Sequence, residues 1–195
     1  DLQALRHNLA LIQATAPDAL VWGVVKANAY GHGIERVFDA LRAADGIALL
    51  DLSEAERVRQ LGWRGPILLL EGVFETRDLE LCSRLNLWHV VHCEAQIDML
   101  AVHKTHQGHR VFLKLNTGMN RLGFAPQAFR AAWTRLNALP QVDEISIMSH
   151  FSDADTDKGI AAAMAVLTIS STRATDCLEV SGDMYFLLKR GWSEY

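Results

Sequence analysis

The 195-residue sequence predicts an α/β fold built around a parallel sheet. Apolar, β-favouring runs alternate with segments whose apolar residues recur at helical spacing, and about six such βα units follow one another. The units repeat at intervals of roughly 20 to 35 residues, which is typical of parallel strands joined by crossover helices. A barrel and an open doubly wound sheet are both compatible with this alternation.

The first unit begins with the apolar run 20–25, whose near-continuous hydrophobicity is typical of a strand covered on both faces. A loop containing Gly31 and Gly33 ends this strand. From Ile34 to Ala44 the apolar residues have helical spacing, so we predict an amphipathic helix there.

Four further strand-helix pairs and a sixth strand follow. Ser53 is the expected N-cap of the next helix, and Pro126 suits the first turn of the last one. The predicted strands are 46–51, 66–71, 87–93, 110–116 and 142–151. The predicted helices are 53–61, 76–85, 94–106 and 126–139.

The number of units limits the architecture. A complete (β/α)8 barrel takes about 250 residues, so a barrel formed by this chain is predicted to be incomplete and to leave an exposed sheet edge. Residues 161–169 are compatible with a helix, whereas 170–195 contain no clear βα unit. We therefore divide the chain into a barrel portion, 1–165, and a tail, 166–195, for which we expect disorder or an aberrant sequence.

Composition favours a soluble protein that acts on small molecules. Half of the residues are hydrophobic, 22% are charged, and the formal net charge is -4, which gives no reason to expect a nucleic acid or a membrane surface as partner. The odd number of cysteines (Cys82, Cys93 and Cys177) indicates a reducing cytosol, with the thiols as small buried hydrophobes. Asp1 opens the chain without Met or a signal-peptide pattern, and we interpret it as a clipped N-terminus.

The residues that end the predicted strands are the candidates for function, because sites in parallel α/β folds lie at the carboxyl ends of strands. The first strand ends at Lys26. A lysine between apolar walls loses its proton more easily and can attack an aldehyde. Tyr30 can offer its hydroxyl to a phosphate. A solvated strand terminus followed by a glycine turn is the alternative, and spacing alone favours it.

The fifth and sixth strands end in further basic residues. Lys114 shares a strand face with Phe112 and Asn116, which would be the interior of a barrel, so we expect it to be paired with an anion or chemically modified. Arg121 can bind an anionic ligand through its planar guanidinium, although a surface arginine is the alternative. The ends of the first, fifth and sixth strands, which carry Lys26, Arg121 and His150, would together form a cationic pocket suited to a phosphorylated cofactor.

No metal site is predicted. The aspartates at 153, 155 and 157 resemble the start of a calcium loop, but Lys158 and Met164 stand where glycine and glutamate are required. His89 and His92 face opposite sides of their strand. The histidines at 103, 106 and 109 are interpreted as a solvated helix end and loop.

Two stretches resemble the signature motifs of alanine racemases. Residues 24–33, VVKANAYGHG, resemble the attachment motif for pyridoxal 5'-phosphate (PLP), and residues 113–123, LKLNTGMNRLG, resemble the second signature. Their spacing and the later run 148–151 also match, so the resemblance covers roughly residues 1–165. It implies a TIM-type (β/α)8 barrel, here incomplete, and interconversion of L-alanine and D-alanine.

The resemblance also implies roles for individual residues. Lys26 would form the Schiff base with PLP and act as the base for one antipode of alanine. Tyr30 would contact the phosphate, and Asn28 is a further pocket candidate. Arg121 would hydrogen-bond the phenolic oxygen of the cofactor.

Two more residues complete the implied site. His150 would pack against the pyridine ring. Lys114 resembles a lysine that is carbamylated in this family, which would turn a buried cation into an anion that holds the arginine.

Several parts of the family pattern are missing from the sequence. We find no Ser-Asn-Ser phosphate-binding segment, no arginine for the pyridine nitrogen and no second β-domain. In the family homodimer that domain supplies a tyrosine base to the partner subunit, and we assign neither Tyr185 nor Tyr195 this role. We therefore expect a cytoplasmic, truncated racemase without activity. A single-domain PLP-binding or carrier protein is the alternative, and a non-functional gene remnant is a third possibility.

Overall fold

The computed structural model describes residues 1–105, 107–154, 156–157, 159–170, 176–180 and 186–190. The interpretations of the residues at 106, 155, 158, 185 and 195, and of the Cys177 side chain, lie outside this description. The strands are β1 (Ala19–Val24), β2 (Gly46–Leu49), β3 (Ile67–Leu69), β4 (Trp88–Val91), β5 (His109–Lys114), β6 (Val142–His150), β7 (Asp176–Val180) and β8 (Phe186–Arg190).

The helical segments alternate with the strands. They are α1 (Leu2–Thr15), α2 (Lys26–Tyr30), α3 (Ile34–Val37) with the 3-10 turn Phe38–Ala40, α4 (Leu52–Gln60), α5 (Asp78–Leu85), α6 (Glu94–Val102), α7 (Pro126–Asn137) and α8 (Ala161–Ser170). Within the described part of the chain, no helix is long and apolar enough to cross a membrane.

The strands form a TIM-type ring in chain order. Each strand from β1 to β6 pairs in parallel with the next, which confirms the predicted α/β fold and its six parallel strands. Parallel pairing brings the carboxyl ends of β1 to β6 to one face of the ring. The candidate residues lie at that face.

The predicted exposed edge beside β6 is filled. The short strands β7 and β8 lie between β6 and β1, and β8 pairs antiparallel with both of its neighbours. The ring is still not a complete (β/α)8 barrel, because β8 runs against the other strands. Antiparallel neighbours need only a short connection, so the tail lacks the strand-helix alternation on which the sequence prediction relied.

Two local predictions need correction. Asp51, rather than Ser53, is the N-cap of α4, because its carboxylate accepts the backbone N–H of Ser53 at 2.7 Å. The helix predicted from Ile34 to Ala44 is divided into α3 and a 3-10 turn.

Helix α1 was not predicted, although its sequence contains the signals. Leu5 and Leu9 are four residues apart and both are buried, and the Asp1 carboxylate accepts the backbone N–H of Gln3 at 2.8 Å. These contacts define an amphipathic helix with a capped N-terminus.

The core consists of two layers, because successive side chains of a strand face opposite sides of the sheet. The larger layer lies between the sheet and the helices. The inner layer fills the ring, and we call it the inner core: Trp22, Val24, Ala48, Leu68, Leu70, Val90, Phe112 and Met148. The partly buried Trp88 packs against it. The rings of Trp22 and Trp88 are 5.3 Å apart between centroids, and those of Trp88 and Phe112 are 5.8 Å apart.

Candidate functional site

The first part of the candidate site is the turn that follows β1. Lys26 is half-buried, and its Nζ lies 5.8 Å from the centroid of the Tyr30 ring. Tyr30 is also half-buried and packs against the inner core. The structure therefore brings these two candidates together and places the amine over an aromatic face.

The backbone of this turn is left-handed. The φ angles of Ala27, Asn28, Ala29 and Tyr30 lie between 52° and 55°, although none of these residues is glycine. L-residues avoid this region because Cβ approaches the following carbonyl oxygen. The turn consequently needs contacts from the rest of the fold to keep its form.

Those contacts come from α4 and α3. The Asn28 backbone N–H donates to Oε1 of Glu54 at 2.6 Å. The Oδ1 of Asn28 accepts the backbone N–H of Ile34 at 3.1 Å and Nη2 of Arg57 at 2.9 Å. The amide oxygen of Asn28 is thus occupied by protein donors, and a direct contact between this side chain and a cofactor stays a prediction.

A second part of the site lies at the ends of β5 and β6. Lys114, Arg121 and His150 line one pocket together with Asn116 and Thr117. Two members of the predicted cationic pocket, Arg121 and His150, therefore lie together, with Lys114 beside them. Lys26, Asn28 and Tyr30 do not line this pocket.

Burial differs among the three basic residues. Lys114 is 4% exposed and His150 is 9% exposed, which agrees with the expected interior position of Lys114 on β5. Arg121 is exposed. A buried lysine and an accessible guanidinium at one pocket can neutralise an anionic ligand that enters from solvent.

The loop that carries Arg121 is tied to β5 at both ends. The Phe124 N–H donates to the Lys114 carbonyl at 2.8 Å, and the Asn116 N–H donates to the Phe124 carbonyl at 2.9 Å. The Asn116 side chain accepts the backbone N–H groups of Gly118 and Asn120 at 3.0 and 3.1 Å. These bonds fix the base of the Arg121 side chain relative to Lys114.

Hydroxyl groups join the same loop to β6. The Oγ1 of Thr117 lies 2.6 Å from the Oγ of Ser149, and the Ser149 hydroxyl also donates to the Leu115 carbonyl at 3.0 Å. Thr117 further contacts the carbonyl of His150 at 3.3 Å. The arginine loop and the histidine strand are therefore held together.

His92 lies close enough to Lys114 to feel its charge, although from the sequence we considered His92 only as a metal ligand. It follows β4 on the same face as Trp88 and Val90, and its Nε2 has no hydrogen-bond partner among the described residues. Burial lowers the pKa of His92, and the positive charge of Lys114 lowers the pKa further. The signal that could have found it is its position at a strand end.

His109 does not belong to a solvated loop. It is 2% exposed within β5, so that interpretation is wrong, and its ring lies between those of His89 and His103. Residue 109 faces the helix layer because it alternates with Arg110 on the strand. Within the part of the chain that the structure describes, no group of three metal-ligating side chains is arranged to hold an ion.

Comparison with known proteins gives one family. The family model described as the N-terminal domain of alanine racemase matches residues 1–183, past residue 165, at which we ended the barrel portion. An alanine racemase from Methylibium petroleiphilum is 80% identical over 164 residues, which are 84% of this chain and 45% of the relative. The chain therefore spans slightly less than half the length of this curated relative.

Solved structures agree with the sequence match. The biosynthetic alanine racemase from Pseudomonas aeruginosa has a TM-score of 0.83 and 39% identity, covering 91% of this chain and 51% of that protein. A histidine racemase from Leuconostoc mesenteroides has a TM-score of 0.77 and 25% identity, covering 91% of this chain and 50% of that protein.

Proposed function

This chain belongs to the alanine racemase N-terminal domain family, and from that membership we propose that it is the PLP-binding part of an enzyme that interconverts L-alanine and D-alanine. The observation that carries the proposal is the position of Lys26 in the turn after β1, half-buried against Tyr30 at the face where the parallel strands end. An amine in this setting can condense with an aldehyde.

The residues of the site fit PLP, whose phosphate and phenolic oxygen are anionic. Lys26 is the proposed attachment point, and Tyr30 is the proposed phosphate contact. Arg121 offers positive charge at one pocket, beside the imidazole of His150. Bound PLP supplies an electron sink that stabilises the charge left when the α-proton of an amino acid departs.

Each residue then has a proposed task. Lys26 takes or returns the α-proton on one side of the substrate through its Nζ atom. Arg121 would donate to the phenolic oxygen of PLP, and His150 would pack against its pyridine ring and exclude water from it. Lys114 is the proposed carbamylation site, because an anion at this buried position would hold the Arg121 guanidinium. Asn28 is a further pocket candidate.

The activity proposed for the whole enzyme requires more than this chain alone. Racemisation needs a base on each side of the substrate, and the second base is proposed to come from a partner subunit of a homodimer. We expect the 195-residue chain alone to bind PLP in the cytoplasm without racemising alanine. The complete enzyme would supply D-alanine for peptidoglycan or degrade it.

Trapping of the cofactor tests the proposal. The chain is incubated with PLP, reduced with borohydride and digested, and mass spectrometry locates the modified lysine. We expect the adduct at Lys26 and its loss in Lys26→Ala, whereas the exposed Lys104→Ala variant serves as the matched control and retains it. An unchanged adduct in the Lys26→Ala protein would refute the assignment.

A second candidate function is a PLP-binding or carrier protein without racemase activity, which requires no further domain. An assay of alanine racemisation separates the two, because turnover by this chain alone would contradict the predicted inactivity. The similarity to a histidine racemase is the reason to assay histidine beside alanine.

A further inference from the structure

The Lys26–Tyr30 turn contains more backbone strain than its sequence explains. Four consecutive L-residues, 27–30, have left-handed angles. Each of them is unfavourable in that conformation, and only Asn28 is a residue type that visits it often. Gly31, which follows at a φ of 82°, is the first residue that adopts a positive φ without strain.

Glu54 supplies the strongest contact to this turn. It lies in the first turn of α4 and is 7% exposed. Its Oε1 accepts the Asn28 backbone N–H at 2.6 Å, the short distance of a charge-assisted hydrogen bond. Its Oε2 is buried and has no hydrogen-bond partner among the described residues.

A carboxylate is an expensive choice for that position. Burying an ionised group without full hydrogen bonding costs free energy, and an apolar side chain would avoid this cost. Among the described residues, the Glu54 carboxylate accepts one hydrogen bond, from the Asn28 backbone N–H. The Glu54 oxygen therefore binds the backbone N–H of Asn28, which lies two residues after Lys26.

A second contact supports the turn from the same helix. Arg57 lies one turn after Glu54, and its Nη2 donates to Oδ1 of Asn28. Arg57 also forms an ion pair with Glu35 of α3 at 2.8 Å. The two α4 residues therefore hold Asn28 by its backbone and by its side chain.

We propose that Glu54 is a positioning residue, which keeps the Lys26–Tyr30 turn left-handed and so directs the Lys26 amine towards the cofactor. The inference rests on the proposed function of Lys26. Without the Glu54 oxygen that accepts the Asn28 N–H, the turn relaxes towards right-handed angles. This change rotates Lys26 away from the Tyr30 ring. Glu54 itself contacts neither the substrate nor the cofactor.

The test compares three variants of the 195-residue chain. Glu54→Ala removes the acceptor, and Glu54→Gln retains an oxygen that can accept the same bond. Glu56→Ala is the matched control, because Glu56 lies on the same helix but pairs with the exposed Arg84. The measurements are amide hydrogen exchange of a peptide covering residues 26–33, the PLP concentration that half-saturates Lys26 in the borohydride assay, and the urea midpoint.

We expect Glu54→Ala to accelerate exchange in the 26–33 peptide and to raise the half-saturating PLP concentration, each by about tenfold or more. Glu54→Gln should recover part of both effects, and Glu56→Ala should match the unmodified chain. Unchanged exchange and PLP binding in Glu54→Ala would overturn the inference. Equal acceleration in all peptides would overturn it as well, because it would show a general loss of stability.

Failure of the proposed function can be distinguished from failure of the inference about Glu54. If the unmodified chain traps no PLP at Lys26, the proposed function fails, and hydrogen exchange in the 26–33 peptide still decides whether Glu54 holds the turn.

Discussion

The Nε2 of His89 lies 3.3 Å from the Nδ1 of His109, in the buried layer between the sheet and the helices. The pKa of His89 is lowered to about 3, mainly by burial and to a smaller extent by His109 and His103. The pKa of His109 is lowered to about 4, mainly by burial and to a smaller extent by His103, while Asp143 opposes the shift. Both rings are therefore neutral at neutral pH, and one donates its N–H to the other.

Acid should destabilise the fold through this pair. Unfolded histidines titrate near pH 6.5, so between about pH 6.5 and 4 the unfolded chain binds more protons than the folded chain. Stability is fully present above that range and is lost as the pH falls through it. At pH 5 we expect a loss on the order of 2 kcal/mol for each histidine.

Urea unfolding at pH 7.5 and pH 5 measures this loss. The double variant His89→Gln, His109→Gln should show a smaller difference between the two pH values, whatever its stability at pH 7.5. An unmodified chain with the same urea midpoint at both pH values would contradict the prediction.

Cys82 should resist alkylation in the folded protein. Burial raises the pKa of this thiol to about 12, with a smaller contribution from Asp78, and the thiolate is the reactive form. Cys93 is half-buried and serves as the internal comparison. After iodoacetamide treatment at pH 8, peptide mass spectrometry should find modified Cys93 and unmodified Cys82 until urea is added. Equal rates for the two thiols in the native protein would be inconsistent with this burial.

Gly123→Ala should disrupt the loop that carries Arg121. A Cβ at this position would lie 2.9 Å from the Asn116 nitrogen and 3.0 Å from the Lys114 carbonyl oxygen. Gly118→Ala, in the same loop, is the matched control, because it has a similar positive φ but no atom within 4 Å of the added Cβ.

The expected losses of unfolding free energy distinguish backbone strain from a steric clash of the added Cβ. Gly118→Ala should lose about 1–2 kcal/mol from backbone strain, and Gly123→Ala about 2 kcal/mol more because the backbone must shift. Urea unfolding measures both values. The same loss in both variants would argue against a close approach at Gly123.

Ser149→Ala should weaken the link between β6 and the loop after β5. The substitution leaves the Leu115 carbonyl and the Thr117 hydroxyl without their shared partner, which should cost about 1–3 kcal/mol. Ser152→Ala removes an exposed hydroxyl near the end of the same strand, and we expect a change within about 0.5 kcal/mol. A Ser149→Ala protein as stable as the Ser152→Ala protein would show that the link contributes little.

The order of the strands and the candidate residues at their ends could be predicted because both depend on local sequence. An apolar run shows where a strand ends, so the sequence alone could place Lys26, Lys114 and His150 at one face. The resemblance to a family then suggested their roles, which composition and spacing left open.

The rest depends on contacts between distant segments. Nothing in the sequence 27–30 predicts left-handed angles, because these are imposed by Glu54 and Arg57 from a helix more than twenty residues away. The burial of His109 escaped prediction because Gly108 precedes it and the predicted strand began one residue later, at Arg110, which left His109 in the loop. The short strands β7 and β8 escaped prediction because they pair antiparallel, and the connection between them is too short for the crossover helix that marks the other strands.

The aromatic contacts of the inner core determine how molecules reach Lys26. Trp22 and Phe112 are 1% and 0% exposed, so these two side chains fill the interior of the ring beneath the site. We therefore expect a ligand to approach Lys26 from the side where the parallel strands end. Arrival and departure of ligands would then use the same face of the protein.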